Sequence, residues 1–293
     1  MSAPQAVLLK DGARLHLQHG PIDLIVGADA ACASDRTVAF DAARTRFETV
    51  LTELTGELPL LRTGITKARS APAGVIARRM YDAVRAHMSR SFVTPMAAVA
   101  GAVADEVLHS MTQAAPLTRA YVNNGGDIAL HLSEGQQFTA AIAGLTGAAL
   151  GQVRIPAGAG ICGIATSGQG GRSLSLGIAD SVTALGTSAA SADAAATLIA
   201  NAVDLPHHPN VQRQPANHLH PDSDLEDRPI VTHVGSLSQG EIALALDRGL
   251  SMAYAMKEEN HIHGAYLNLR GNNRLVGRIP MQSPKTDQEV AYG

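Results

Sequence analysis

From Leu117 to Leu185 the apolar residues recur at every second position and turn residues break the run repeatedly. No other stretch limits the possible folds of this chain as much. A period of two means half-buried strands, expected at 120–123, 127–132, 137–143, 162–166, 173–177 and 181–185. The connections between them are too short for crossover helices, so the strands pair antiparallel. Helical spacing flanks this region. Phe40, Ala43, Phe47, Val50, Leu51 and Leu54 share one stripe, with Gly56 placed for a left-handed C-cap. Pro72 suits the first turn of a helix that turns Val75, Ile76, Met80, Ala83, Val84 and His87 inward. Another helix follows Pro95, with the stripe Val99, Ala100, Val103, Val107, Leu108 and Met111, and its small residues let a neighbour approach closely. An Ala-rich helix spans 188–203 and a further one 239–256. Helices beside antiparallel strands make an α+β fold, with mostly antiparallel sheets layered against helices.

The ends of the chain add strands. Residues 6–9 and 13–18 form a hairpin across Asp11-Gly12, and 22–26 a third strand. Residues 230–234 are a strand, and 262–269 with 274–279 a final hairpin. Residues 205–229, rich in His, Pro and Asp, read as a long, mobile polar loop. Residues 1–293 are expected to form a single unit, with two subdomains as the alternative, around a motif-bearing core at 92–204.

Composition removes several functions. The chain has 293 residues, a net charge of −3, no Trp and 3% aromatics. It lacks the basic stripe of a nucleic-acid binder and the stacking platforms of a single-strand binder. No run of 18 apolar residues would cross a membrane. No charged, then apolar, leader opens the chain, and Cys32 and Cys162 form no paired framework, so the expected location is the cytoplasm.

Three segments carry chemistry. Asn123-Asn124-Gly125-Gly126-Asp127 is a hairpin turn in its plainest reading. In the functional one, paired glycines bring backbone amides to a ligand that Asp127 orients. Thr166-Ser167-Gly168-Gln169-Gly170-Gly171-Arg172 gathers hydroxyls, turn amides and a guanidinium, the makings of an anion nest, or is a flexible turn between strands. Asp193 and Thr197 lie four apart on one helix face, where a carboxylate and a hydroxyl suit Mg²⁺; equally, Asp193 is an acid in a first turn favoured by the helix dipole. Gly158-Ala159-Gly160-Ile161-Cys162-Gly163 fits a dinucleotide fingerprint in letters, but no helix follows it. His261 and His263 would share a strand face as zinc ligands might, although no further spacing completes a zinc pattern. Asp222-x-Asp224-x-Glu226 starts like a calcium loop and lacks its glycine.

Taken in order, Asn123-Asn124-Gly125-Gly126-Asp127-Ile128, Ala165-Thr166-Ser167-Gly168 and Ala192-Asp193-Ala194-x-x-Thr197 resemble motifs of the ApbE superfamily. Upstream, 98–105 resembles that family's helix, which begins with Lys-Gly and reaches an Asp. The resemblance covers 92–204 and, with 220–228, points to a divergent branch. It implies a flavin transferase that takes FMN from FAD and attaches it to a Thr or Ser of a target protein with Mg²⁺. Asp193, Thr197 and the carbonyl near Ala97 would hold the cation. Asn124, Gly125, Gly126 and Asp127 would line a flavin nucleotide, FAD or FMN, with Thr166, Ser167, Gly168 and Arg172 near its phosphates. The family's Lys before the glycine is Ala100 here, and its His-Ile-x-Asp-Pro-x-Thr-Gly segment is reduced to Ile178-Ala179-Asp180. Asp180 is the acid/base candidate that remains. The alternatives are a cofactor-binding protein without catalysis and a zinc hydrolase built on the C-terminal histidines. The partner expected is a small-molecule or nucleotide ligand, and assembly with copies of itself is left open.

Overall fold

The computed structural model describes residues 3–66, 70–143, 149–171, 173–277 and 281–282. In chain order it begins with β1 (Gln5–Leu8), β2 (Arg14–His19), β3 (Ile22–Asp29), α1 (Ala33–Gly56), α2 (Leu58–Leu61) and α3 (Val75–Arg85). A 3₁₀ turn (Pro95–Ala98) then leads into α4 (Val99–Ala114), β4 (Arg119–Asn124), β5 (Asp127–Leu132), β6 (Gln137–Ala143), β7 (Ala149–Pro156), β8 (Gly163–Ser167) and β9 (Ser181–Gly186). The last part holds α5 (Ala189–Ala202), β10 (Val211–Pro215), α6 (Ala216–Leu219), β11 (Pro229–Val234), α7 (Gln239–Glu258), β12 (Gly264–Leu269), β13 (Asn272–Val276) and β14 (Met281–Gln282).

Nine strands form one sheet in the order β1-β2-β3-β4-β5-β8-β9-β12-β13. Every neighbouring pair in it is antiparallel, as the short connections require. The pleat then sorts the side chains. Ala129, Ala165, Ala184 and Ala265 face the larger apolar core with the helices. Their neighbours Leu130, Ile164, Leu185 and Tyr266 face the other side, where Ala140, Ile142, Val153 and Ile155 of β6 and β7 cover them. Three layers result: helices, the large sheet, and the small sheet β14-β7-β6. This is the α+β arrangement expected from the sequence. α4 packs on α1 and α5, α5 on β8 and β9, and α7 on α5 and β12.

The small-residue face of α4 has a definite occupant. A Cβ at Gly101 would lie 2.3 Å from the Ala189 carbonyl oxygen, and one at Gly163 2.1 Å from that of Ser188. The first turn of α5 therefore rests directly on α4 and β8. Ser188 closes a capping box with Ser191 at the start of α5.

Several expectations are corrected. Residues 173–177 are not a strand: the Leu176 N–H bonds the Asn201 side chain at 3.0 Å, and a Cβ at Gly177 would lie 2.2 Å from the Ala200 carbonyl. Alternating Ser and Leu imitate a strand there, while the backbone tucks under the end of α5. β7 was not foreseen, although Val153 and Ile155 are buried at spacing two. Residues 205–229 are no structureless loop, because β10 pairs with β11 and α6 follows it. Gly56 does not adopt a left-handed cap; it closes α1, and Glu57 follows with φ −111°. Pro72 lies ahead of α3, which Gly74 caps, and Val75 faces outward. The Glu57 carboxylate meets the N–H groups of Ala73 and Gly74 at 2.8 and 2.7 Å, ahead of that helix.

Two glycine substitutions should part in sign. Gly101→Ala should lower stability by ~1–3 kcal/mol through overpacking against α5. Gly56→Ala, whose Cβ meets nothing within 4 Å, should raise it by roughly 0.5–1 kcal/mol. Urea denaturation of both variants measures this, and a neutral Gly101→Ala would contradict the close packing.

Candidate functional site

α4 and α5 each present a carboxylate to the other's N-terminal turn. The Asp105 oxygens accept the Ala189 and Ala190 N–H groups of α5, both at 2.9 Å. Asp193 Oδ2 accepts the Gly101 N–H of α4 at 3.0 Å. The first N–H groups of a helix have no partner within the helix and carry its positive dipole end, so both contacts are favourable. Burial nevertheless pushes the Asp105 carboxyl above its usual range. Asp193 is driven well above it, first by burial and then by the charge of Asp127. The Asp193 side chain is enclosed on most sides and keeps one edge open to a cavity.

That cavity measures about 500 Å³, and Ala97, Ala100, Asp127, Asp193 and Thr197 all line it. The surrounding hydrogen bonds tie the three sequence segments together. Asn124 is buried, and its side-chain amide donates to the Ala100 carbonyl at 3.1 Å. Asp127 accepts the Thr166 N–H at 3.2 Å. Thr166 Oγ1 lies 2.8 Å from Thr183 Oγ1, and Thr197 Oγ1 donates to Ser167 Oγ at 3.5 Å. The segment around Ala97, the Asp193 carboxylate and the Thr197 hydroxyl one turn further on thus line the same cavity. Such a set of hard oxygen donors suits Mg²⁺.

Other expected residues have plainer roles. Gly125 and Gly126 form the two-residue hairpin turn with φ of 64° and 112°, a backbone that favours glycine. Gly168, at φ 139°, passes close to the backbone of Asp180, where a Cβ would be 2.8 Å from the carbonyl oxygen. Asp180 does not line the cavity, and its carboxylate accepts the Arg270 N–H at 2.6 Å, an anchor for the β12–β13 turn. Burial raises its carboxyl, and the bond to Arg270 opposes that rise. Arg172 lies outside the described residues.

The histidines disperse. His261 packs its ring on His87 with centroids 4.8 Å apart, and burial pushes His87 down to about 4. His208 meets Glu241 at 2.8 Å. The His263 N–H donates to the Leu185 carbonyl, ahead of β12. Among the described residues no three His, Cys, Asp or Glu side chains are grouped to hold a metal ion.

The sequence reading missed one wall of the cavity. Arg62, Phe92, Thr94, Asp222 and Asp224 line it from elements remote from the three motifs. The Thr94 hydroxyl bonds Asp224, which fastens the 220–225 segment over the site. Two signals pointed at part of this wall, the acidic spacing of Asp222 and Asp224 and the resemblance over 220–228, but neither placed it against the three motifs.

An α+β scaffold with a carboxylate-lined cavity between two helix starts is the class this structure defines. Within it the chain belongs to the AbpE bacteria family, whose model matches residues 6–275. It is 43% identical over 117 residues to the UPF0280 protein of Methanococcus vannielii, covering 37% of this chain and 45% of that one. It is 40% identical over 119 residues to the UPF0280 protein of Methanothrix thermoacetophila, covering 40% and 49%. The chain therefore spans about half the length of the relatives it matches. Among solved structures, the ApbE protein of Thermotoga maritima aligns at TM-score 0.47 with 10% identity, over 96% of this chain and 97% of that one. The apo flavinyl transferase ApbE of Pseudomonas stutzeri aligns at 0.44 with 11% identity, over 97% and 96%. No described helix is long and apolar enough to cross a membrane.

A raised carboxyl favours the neutral form in the folded state. Below the unfolded carboxylate range both states hold the proton and nothing is lost. As pH rises past that range, stability falls until pH passes the raised folded value. Asp193→Asn should therefore melt above the parent at neutral pH without divalent cation, by roughly 2–4 °C for each kcal/mol regained. The gap should close in acid. Calorimetry across pH checks this, and a lower melting temperature at neutral pH would contradict it.

Proposed function

We propose that the chain binds a flavin nucleotide, FAD or FMN, or a closely related phosphate-bearing nucleotide, together with Mg²⁺ in the 500 Å³ cavity. One observation carries this reading. Three separate segments bring Ala97, Asp127 and the pair Asp193 and Thr197 to one cavity, where burial and the Asp127 charge raise the Asp193 carboxyl. A divalent cation relieves such a carboxylate, since its charge favours the ionised form. In this reading Asp193, the Thr197 hydroxyl and the Ala97 carbonyl hold Mg²⁺. When bound, the ion neutralises phosphate charge and polarises a phosphoryl oxygen. Asn124 fixes the Ala100 carbonyl, and so the start of α4, relative to the β4–β5 turn. Asp127 borders the phosphates, while Thr166 and Ser167, which do not line the cavity, brace Asp127 and Thr197 from behind. Membership of the family supports chemistry related to flavin transfer.

A second reading, a carrier that holds the nucleotide without turning it over, is favoured by Ala100 in place of the family's Lys and by Asp180 lying off the cavity. The two differ in a product: with FAD, Mg²⁺ and an acceptor peptide carrying Thr and Ser, a transferase joins the FMN phosphoryl group to the hydroxyl oxygen and releases AMP, and a carrier releases none.

Saturating FAD with Mg²⁺ should raise the melting temperature of the parent protein, since a ligand at 100 times its Kd adds about 2.7 kcal/mol. Asp193→Ala should abolish the part of that rise that Mg²⁺ supplies, and Thr197→Val should reduce it. An equal Mg²⁺-dependent rise in Asp193→Ala would reject the assignment.

A further inference from the structure

Two arginines near the cavity differ in their bonding: Arg62 lines it, and Arg228 stands behind its wall. Arg228 stacks on Phe92, its guanidinium carbon 3.2 Å from the ring centroid, and donates to the Leu225 carbonyl at 3.2 Å and to Glu226 at 3.4 Å. Its charge is spent. Arg62 follows α2, is half-buried, and lines the cavity with Asp127, Asp193, Asp222 and Asp224. Among the described residues its side chain makes no hydrogen bond or ion pair.

That is an unusual state for a guanidinium in such company. Three of the four carboxylates that share the cavity accept other hydrogen bonds: Asp224 the Thr94 hydroxyl, Asp193 the Gly101 N–H and Asp127 the Thr166 N–H. The backbone that carries Arg62 is firmly held. Its N–H donates to the Leu58 carbonyl at 2.9 Å, and the Ile65 N–H donates to the Val93 carbonyl at 3.0 Å. Gly64 lets this turn close on Phe92, since a Cβ there would come within 2.8 Å of the ring. Leu61, fully buried, anchors the helix below it. A partly desolvated guanidinium is thus presented on a fixed turn, with its donors unclaimed. Guanidinium groups match phosphate oxygens two at a time, and such charge-assisted bonds are about twice as strong as neutral ones.

We propose that Arg62 is the anion-recognising residue of this cavity, and that it takes a phosphate group of the ligand. The inference rests on the nucleotide reading above and sharpens it: the ligand class is phosphorylated, and a neutral nucleoside-like analogue is discriminated against. It also separates two tasks. Asp193 and Thr197 serve the cation, while Arg62, just past the end of α2, supplies the fixed positive charge.

The test uses the whole chain with Mg²⁺ and three probes: FMN, riboflavin and inorganic pyrophosphate. Affinities are measured by flavin fluorescence and by calorimetry, for the parent, Arg62→Ala and Arg62→Lys. Ligand-free melting of both variants at the parent temperature shows that they fold. Arg62→Ala should weaken FMN and pyrophosphate by ~10- to 100-fold and leave riboflavin unchanged. Arg62→Lys should fall between, because an ammonium lacks the planar fork. Should the parent bind FMN and Arg62→Ala bind it equally well, this inference fails while the nucleotide reading stands. If neither flavin binds but pyrophosphate does so in an Arg62-dependent way, the flavin reading fails and the role of Arg62 stands. No binding of either phosphorylated probe overturns both.

Discussion

The exchange of carboxylates between α4 and α5 sets the rest of the structure. Asp105 serves the start of α5 and Asp193 the start of α4, and each contact requires the two helix starts to be nearly touching. Glycine makes that distance available: no side chain fits at Gly101 or Gly163, where Ala189 and Ser188 backbone atoms already stand. Dispersion and apolar burial along Val103, Val107, Leu198 and Ile199 then hold the pair against the sheet. The arrangement places two half-buried acids within one helix pair, which a core built only for stability would avoid.

The cavity follows from this packing. Because α5 starts on α4, its next turns carry Asp193 and Thr197 toward the β4–β5 hairpin and the Thr166–Gly168 turn. Asp127 arrives from the sheet and Asp193 from the helices, so their charges oppose each other across a space too enclosed for water to screen fully. The far wall is built differently. It depends on Thr94 and Phe92, which hold the 220–228 segment by one hydrogen bond and one stacked guanidinium. Two independent parts of the chain thus enclose one volume, one carrying acid groups at helix starts and the other carrying Arg62.

Legibility in the sequence varied with the range of the interaction that decides each feature. The hairpins of β1–β2 and β4–β5 follow from local turn residues, and α5 from its Ser188 cap and alanines; all three were readable. Residues 173–177 misled because Ser and Leu alternate there for a different reason, contact with the end of α5. Asp180, the acid/base candidate, lies off the cavity lining, and its carboxylate accepts the N–H of Arg270, 90 residues away. Arg62 carried no local signal at all, since a lone arginine after a short helix resembles any solvated charge.

The sequence by itself determined the antiparallel pairing, the strand faces and the helix that carries Asp193 and Thr197, because side-chain period and connection length act over a few residues. Only the tertiary structure decided that Asp127, Asp193 and Arg62 border the same volume, and that Asp180 does not. Their meeting depends on how closely two helix starts can approach and on which distant segment closes the wall. Those distances are set by packing between parts of the chain that share no local pattern.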